Sequence, residues 1–348
     1  MTHARKAARR ATLRRATAVA LLASALSAGA PVLSGQPPLR GPALDAATEE
    51  RILALDPERV SEQDVREVLS RAPAPRIISL QGSVPLVTMA PFVEFLVAMG
   101  YPRDQLRNPE DGSLTYSSFV DARRLAGTLA WYYEREGMMP MLIGHSQGGM
   151  IAIRVLYELA GDFGAALPVW DPRRDAPDDR TTIVDPLSGA QRSVVGLQVP
   201  YVAVLATGKL PRVLLGQWSM LGRLRAIPDT VEEFTGFSLQ WDAIAGNFGS
   251  ADTYRAIGSA QVRNVTLPAA AGHLTLPLAK ELAVDPVTRD WINQYVPASD
   301  TPAPPTDTRV DVANLLHAAD IWYSVKKHWC IEAQQLIRAR RSHDGPLQ

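Results

Sequence analysis

The sequence of 348 residues holds one cysteine, Cys330, which excludes an internal disulfide and leaves no cysteine near the N-terminus to carry a lipid. Net charge is also lacking, since 36 lysines and arginines balance 36 aspartates and glutamates. No basic stripe gathers outside the termini, so nucleic acid is not an expected partner. No run is long enough to be a comfortable membrane span; the apolar stretch ATAVALLASALSAGA, residues 16–30, falls short of a bilayer's thickness. HExxH, an EF-hand loop, CxxC, Walker A and a dinucleotide-binding glycine pattern are all absent, so no metal ion and no organic cofactor is implied. There is no internal repeat. A hydrophobic content of 46% excludes disorder throughout and supplies a core for one large domain or two smaller ones.

What is present starts with a charge asymmetry. Arg5, Lys6, Arg9, Arg10, Arg14 and Arg15 precede the short apolar stretch with no acid among them. A basic segment followed by small apolar residues reads as a cleavable secretory signal over residues 1–30, with AxA-like sites at Ala23–Ala25 and Ala28–Ala30. The paired arginines leave both the twin-arginine and the general export route open, and an uncleaved amphipathic tail is the alternative. Cleavage would remove six of the 36 basic residues, leaving 30 against 36 acidic ones, a mildly acidic protein in a secreted or periplasmic location. Charge then gives little attraction to a membrane surface.

Residues 31–75 read as a linker and an N-terminal helix. PVLSGQPPLRGPA is rich in proline and glycine, whereas Ser61 before Glu62, Gln63 and Asp64 has helix-capping chemistry, with Val65, Val68 and Leu69 on one face. RIISLQGS, residues 76–83, is a buried strand stopped at Gly82. FVEFLVAMG and DARRLAGTLAWYYEREG read as helices around the loop RNPEDGSLTYSS, MPMLI as a strand, and MIAIRVLYELAG as a helix. Strands alternating with helices predict an α/β fold with a mostly parallel central sheet flanked by helices. Two excursions interrupt it, at about 161–198, with a hairpin around DPLSG, and at about 209–233, apolar and helix-like. YVAVLATG, FTGFSLQWD and VRNVTLP add strands, so the main domain spans 76–297. A proline-rich linker and one amphipathic C-terminal helix with a basic end occupy 298–348.

Within MPMLIGHSQGGM the pattern GxSxG is met by Gly144, His145, Ser146, Gln147 and Gly148. Between a strand and a helix, this spacing makes a nucleophile elbow: the sharp turn forces the serine into a sparsely allowed backbone conformation, and glycines on either side let strand and helix pass closely. The helix that follows turns unpaired amides toward the same spot, where a developing anion would be stabilised. The plainer alternative is a serine that caps a helix after a glycine turn.

On IGHSQGG after a strand, QGS after an earlier strand, and an acid followed by a histidine downstream, the chain from about residue 76 to 297 resembles the α/β-hydrolase fold, in its lipase and esterase branch. A serine nucleophile needs a base and an orienting carboxylate. The resemblance places the base on a loop after a late strand, which His273 fits in LPAAAGHLTLP. His145 is expected to project away from its neighbour's hydroxyl, while His317, His328 and His343 follow the proline-rich linker. Asp242, ending FTGFSLQWD, resembles the lipase acid; Asp252 in GSADTYRAIG is its rival. The oxyanion donors implied are the amides of Gln147 and Ser83, although Gln81 stands where lipases often have histidine. Val213, Leu214, Leu215, Trp218, Met220, Leu221 and Trp241 either line an acyl pocket or lid, or belong to the core.

The expectation is a serine carboxylic ester hydrolase, working through an acyl-enzyme on a small-molecule or lipid ester. An acyltransferase, thioesterase or peptidase would use the same residues. A non-catalytic binding module with this fold is the alternative of a different class.

Overall fold

In the computed structural model the described residues are 44–84, 87–208, 217–248, 253–268, 272–297, 303–305 and 311–343. The leader with its cleavage sites, the stretch 31–43, Val213, Leu214, Leu215 and Asp252 lie outside them. The runs IISL and MLIGH have no polar face, and strands of that kind belong where both sides of a sheet are covered. They form β1 (Ile77–Leu80) and β2 (Met141–His145), every residue buried. With β3 (Val199–Leu205), β4 (Val231–Leu239) and β5 (Gln261–Leu267) they make a five-stranded sheet in sequential order, every pair parallel.

Successive strand residues face opposite sides, and two cores result. Ile77, Met141, Ile143, Tyr201 and Ala203 pack with α3 (Ala90–Ala98), α6 (Pro286–Gln294) and α7 (Val312–His343). Ile78, Leu80, Leu142, Val202 and Val204 pack with α4 (Ala122–Glu136) and α5 (Gln147–Leu159). The ends of α4 follow its chemistry. The Asp121 carboxylate accepts the Arg124 amide at 2.8 Å, and Gly137 closes the helix at φ 77°, a left-handed conformation that costs glycine little.

The C-terminal helix packs back on the sheet as its apolar residues require. Trp322 and Trp329 are fully buried, and the Trp329 indole donates to the Pro73 carbonyl at 2.9 Å. Polar side chains fix its register: Lys326 Nζ donates to the Val60 carbonyl at 2.8 Å, and Gln334 Nε2 donates to the Ile52 and Leu55 carbonyls at 3.0 and 2.9 Å. Among the described residues no helix is long and apolar enough to cross a membrane.

Several details differ from the sequence reading. An additional helix, α1 (Ala46–Leu53), precedes the expected one, started by the Asp45 carboxylate on the Thr48 amide at 2.8 Å. The helix expected at Ser61 starts there, with a capping box in which Asp64 reaches back, but α2 (Glu62–Glu67) gives way to a 3-10 turn at Leu69–Arg71. The 161–198 excursion holds the expected hairpin, Thr182–Val184 against Gln191–Ser193, and a second one, Trp170–Asp171 against Ala176–Pro177. In the second excursion, residues 217–228 form one 3-10 turn, Trp218–Met220, and no longer helix. Gly222, at φ 80°, turns the chain out of any helix. The sheet resumes at Val231, so residues 231–233 belong to β4 rather than to the excursion.

Candidate active site

The elbow is set between β2 and α5. Ser146 has φ 52° and ψ −116°, one of three non-glycine residues with positive φ among those described, and such a conformation persists only where the surroundings enforce it. Here they do. The Ser146 amide donates to the Leu205 carbonyl of β3 at 2.8 Å, and the Thr207 hydroxyl donates to the Ser146 carbonyl at 3.1 Å. A Cβ on Gly144 would come within 2.6 Å of the Gly148 backbone, and one on Gly148 within 2.2 Å of the Leu80 carbonyl oxygen. Both elbow glycines therefore stand where only a hydrogen fits, which lets α5 press against the end of β1.

Three residues far apart in the chain meet at this point. His273 Nε2 lies 3.0 Å from Ser146 Oγ, and His273 Nδ1 lies 2.7 Å from Asp242 Oδ2. A carboxylate only accepts, so Nδ1 carries the proton and Nε2 is left as an acceptor for the serine hydroxyl. The other carboxylate oxygen, Asp242 Oδ1, accepts the Ala245 amide at 2.9 Å. Ser146, His273 and Asp242 are all buried, 3%, 6% and 3% exposed, in surroundings where such bonds are little weakened by water. Asp242 is not the last residue of the long strand. β4 ends at Leu239, and Asp242 sits on a separate two-residue hairpin, Trp241–Asp242 against Asn247–Phe248, that turns it toward the histidine.

The loop after β1 lies against the serine. A Cβ on Gly82 would come within 3.2 Å of Ser146 Cβ and 3.1 Å of His145 Nδ1, so Ser83 follows a residue packed directly against Ser146. The loop is braced by the segment at Tyr116: the Gln81 amide donates to the Tyr116 carbonyl at 3.1 Å, the Tyr116 amide to the Ser79 carbonyl at 2.8 Å, and the Thr115 hydroxyl to Gln81 Oε1 at 3.1 Å. Gln147 begins α5, and amides in a helix's first turn have no acceptor within the helix. Its side chain points elsewhere, with Nε2 at 3.5 Å from the Ser118 carbonyl.

His145 lies in the site, hydrogen-bonded to the His273 backbone, whereas the serine hydroxyl pairs with the His273 ring. Its Nε2 is 2.8 Å from the His273 carbonyl oxygen, so Nε2 bears the proton and donates. The ring is buried, with its centroid 5.0 Å from that of His273. Burial, with the second imidazole beside it, pushes its pKa down to about 3, and it is neutral at pH 7. Asn314, near the start of α7, donates through Nδ2 to the Thr275 and Leu278 carbonyls at 3.0 and 3.1 Å. Thr207 and Asn314 are site neighbours that sequence reasoning missed, and it gave His145 no role. Adjacency to Ser146 pointed to His145, but nothing local pointed to the other two.

Other expected residues lie apart from this group. His317 Nδ1 donates to the Ala313 carbonyl within α7, and His328 Nε2 faces Glu233. Met220 belongs to the core beside α4 and α5, whereas Trp218, Leu221 and Trp241 are exposed. Comparison of the chain with family models, with curated proteins and with solved structures returned no match.

Proposed function

We propose that the chain is a serine hydrolase of the α/β-hydrolase kind that cleaves carboxylic esters through an acyl-enzyme on Ser146. The observation that carries this reading is the unbroken line of two hydrogen bonds, Ser146 Oγ to His273 Nε2 and His273 Nδ1 to Asp242 Oδ2, at 3.0 and 2.7 Å. An alcohol is a poor nucleophile at neutral pH, and a fixed base beside it supplies what it lacks. In this scheme His273 takes the hydroxyl proton as Oγ bonds to the ester carbon. Asp242 holds the tautomer and faces the imidazolium that forms. The tetrahedral oxyanion is received by the Gln147 and Ser83 amides. Collapse expels the alcohol with the proton from His273, and water, deprotonated by the same imidazole, then releases the acid. The basic and apolar leader in residues 1–30 leads us to place the enzyme outside the cytoplasm, secreted or periplasmic.

Hydrolysis of a graded series of acyl esters by wild type and Ser146→Ala tests the reading. The expected result is turnover by wild type and a loss of several orders of magnitude in the variant. Product carrying the acyl group on an added alcohol, in preference to water, would make it an acyltransferase. Binding of esters without turnover in folded wild type would make it a binding module.

A further inference from the structure

His273 is held at two hydrogen-bond distances at once, to Ser146 Oγ and to Asp242 Oδ2. Side chains from two other elements grip the backbone of the segment that carries it. His145, the last residue of β2, donates from Nε2 to the His273 carbonyl at 2.8 Å. Asn314, from α7, donates from Nδ2 to the Thr275 and Leu278 carbonyls at 3.0 and 3.1 Å. Within the segment, the Thr275 amide and hydroxyl both bond the Gly272 carbonyl, and the Leu278 amide bonds that of Thr275. His145 and Asn314 are 1% and 5% exposed, so neither grip is exchanged readily for water.

We infer that His145 and Asn314 are positioning residues for the base: they fix the backbone of residues 273–278 so that His273 reaches Ser146 and Asp242 together. The inference rests on the proposed hydrolase reading for its kinetic consequence, but not for its structural one. His145 is suited to the task in its neutral form. Its Nε2–H meets a carbonyl, while its Nδ1 has no hydrogen-bond partner among the described residues and faces the Gly82 loop, where a Cβ would come within 3.1 Å. The same ring thus supports the base on one side and touches the loop after β1 on the other. Asn314 gives α7 a direct part in the site. The C-terminal helix, 39 residues beyond Thr275, is more than a cover for the sheet.

A buried group that only stabilised the fold would lower the folded fraction without changing the folded enzyme's turnover. A positioning group lowers kcat and leaves KM nearly unchanged, since misplacement of a reacting group by 1 Å can cost about 10²-fold. His145→Leu and Asn314→Leu are therefore expected to lower kcat by about 10- to 100-fold with KM within about twofold of wild type. His145→Gln, whose amide reaches about as far as Nε2, should recover most of the loss, whereas the shorter His145→Asn should not. Both grips act on one segment, so the double leucine variant should lose less than the product of the single losses.

A second readout needs no catalysis. The low-field NMR proton of the His273–Asp242 hydrogen bond should persist in wild type and His145→Gln, and broaden or vanish in His145→Leu and His145→Asn. Thermal unfolding of each variant shows whether it is folded, and the glutamine and asparagine pair serves if the leucine variants are not. Wild-type kcat with an unchanged low-field proton in folded His145→Asn would overturn the inference, as would equal kcat losses in the glutamine and asparagine variants. If wild type hydrolyses no ester, the hydrolase reading fails and the NMR comparison alone decides the positioning role.

Discussion

Substitution of Gly82 by alanine probes the loop after β1 without replacing Ser146, His273 or Asp242. Gly82 has no positive φ, so alanine meets no backbone penalty there; only space decides. The new Cβ would lie 3.1 Å from His145 Nδ1 and 3.2 Å from Ser146 Cβ, against ordinary contact from 3.4 Å, and the loop must retreat by roughly 0.3 Å. Scaling a cost of about 10²-fold per ångström of misplacement gives about a fourfold fall in kcat. Complete loss of the Ser83 amide from the oxyanion would give about 10²–10³-fold. The expected fall is about tenfold, with KM nearly constant. Mild overpacking costs about 1 kcal/mol and the smaller freedom of the unfolded chain returns about 0.4–1 kcal/mol, so stability should stay close to wild type. Steady-state kinetics on a short-chain ester, with urea unfolding in parallel, measure both. Unchanged kcat in a folded Gly82→Ala protein would refute the placement of this loop at the oxyanion.

Gly148→Ala should behave differently, since its Cβ would lie 2.2 Å from a backbone carbonyl oxygen: a destabilisation above about 3 kcal/mol is expected in urea, and near-wild-type stability would contradict the elbow packing. Asp242→Asn should lower kcat by about 10³–10⁴-fold by allowing the wrong tautomer of His273, while Asp252→Asn stays within a few-fold; the reverse ranking would reassign the acid. Trp329→Ala should cost about 3–5 kcal/mol in urea unfolding, and a loss under 1 kcal/mol would deny the C-terminal helix its place in the core. Burial raises the Glu332 pKa to about 8. A raised folded value means that its contribution is complete below its unfolded value near 4.5 and is lost as pH rises through 8, on the order of 3–5 kcal/mol. Glu332→Gln, which still accepts the Met139 amide that Glu332 binds at 3.1 Å, should therefore gain on wild type steadily between about pH 5 and 8 in urea titrations and level off above that. A gap independent of pH would show that this carboxyl does not titrate as its burial requires.

The parts of the fold legible in the sequence were those whose physics is local. IISL and MLIGH are apolar without interruption, and only a strand covered on both faces accommodates that. GHSQG between such a strand and an apolar helix pointed to a tight turn at Ser146, with a helix-capping serine as the alternative, and the resemblance pointed to His273 among six histidines. The start of β4 was hidden because Glu232 and Glu233 interrupt its pattern. Glu233 is buried there only because Arg263, Lys327 and His328 surround it, and the nearest of those lies 30 positions away. Helix α1 was missed beside the proline-rich stretch, since its capping by Asp45 is visible only once Thr48 is known to be helical. Trp241 and Asp242 read as the end of a strand, while their separate hairpin depends on pairing with Asn247 and Phe248. The grips of His145 and Asn314 on the His273 segment span 128 and up to 39 positions, and no window of sequence contains both ends.

The central claim is that the Ser146 hydroxyl is activated by His273. Its most direct test is the site and stoichiometry of phosphonylation when the folded protein meets a fluorophosphonate, read by peptide mass spectrometry. The account predicts one adduct per chain, on Ser146, with labelling abolished in Ser146→Ala and slowed by orders of magnitude in His273→Ala. An adduct on another residue, or equal labelling rates in wild type and His273→Ala, would contradict it.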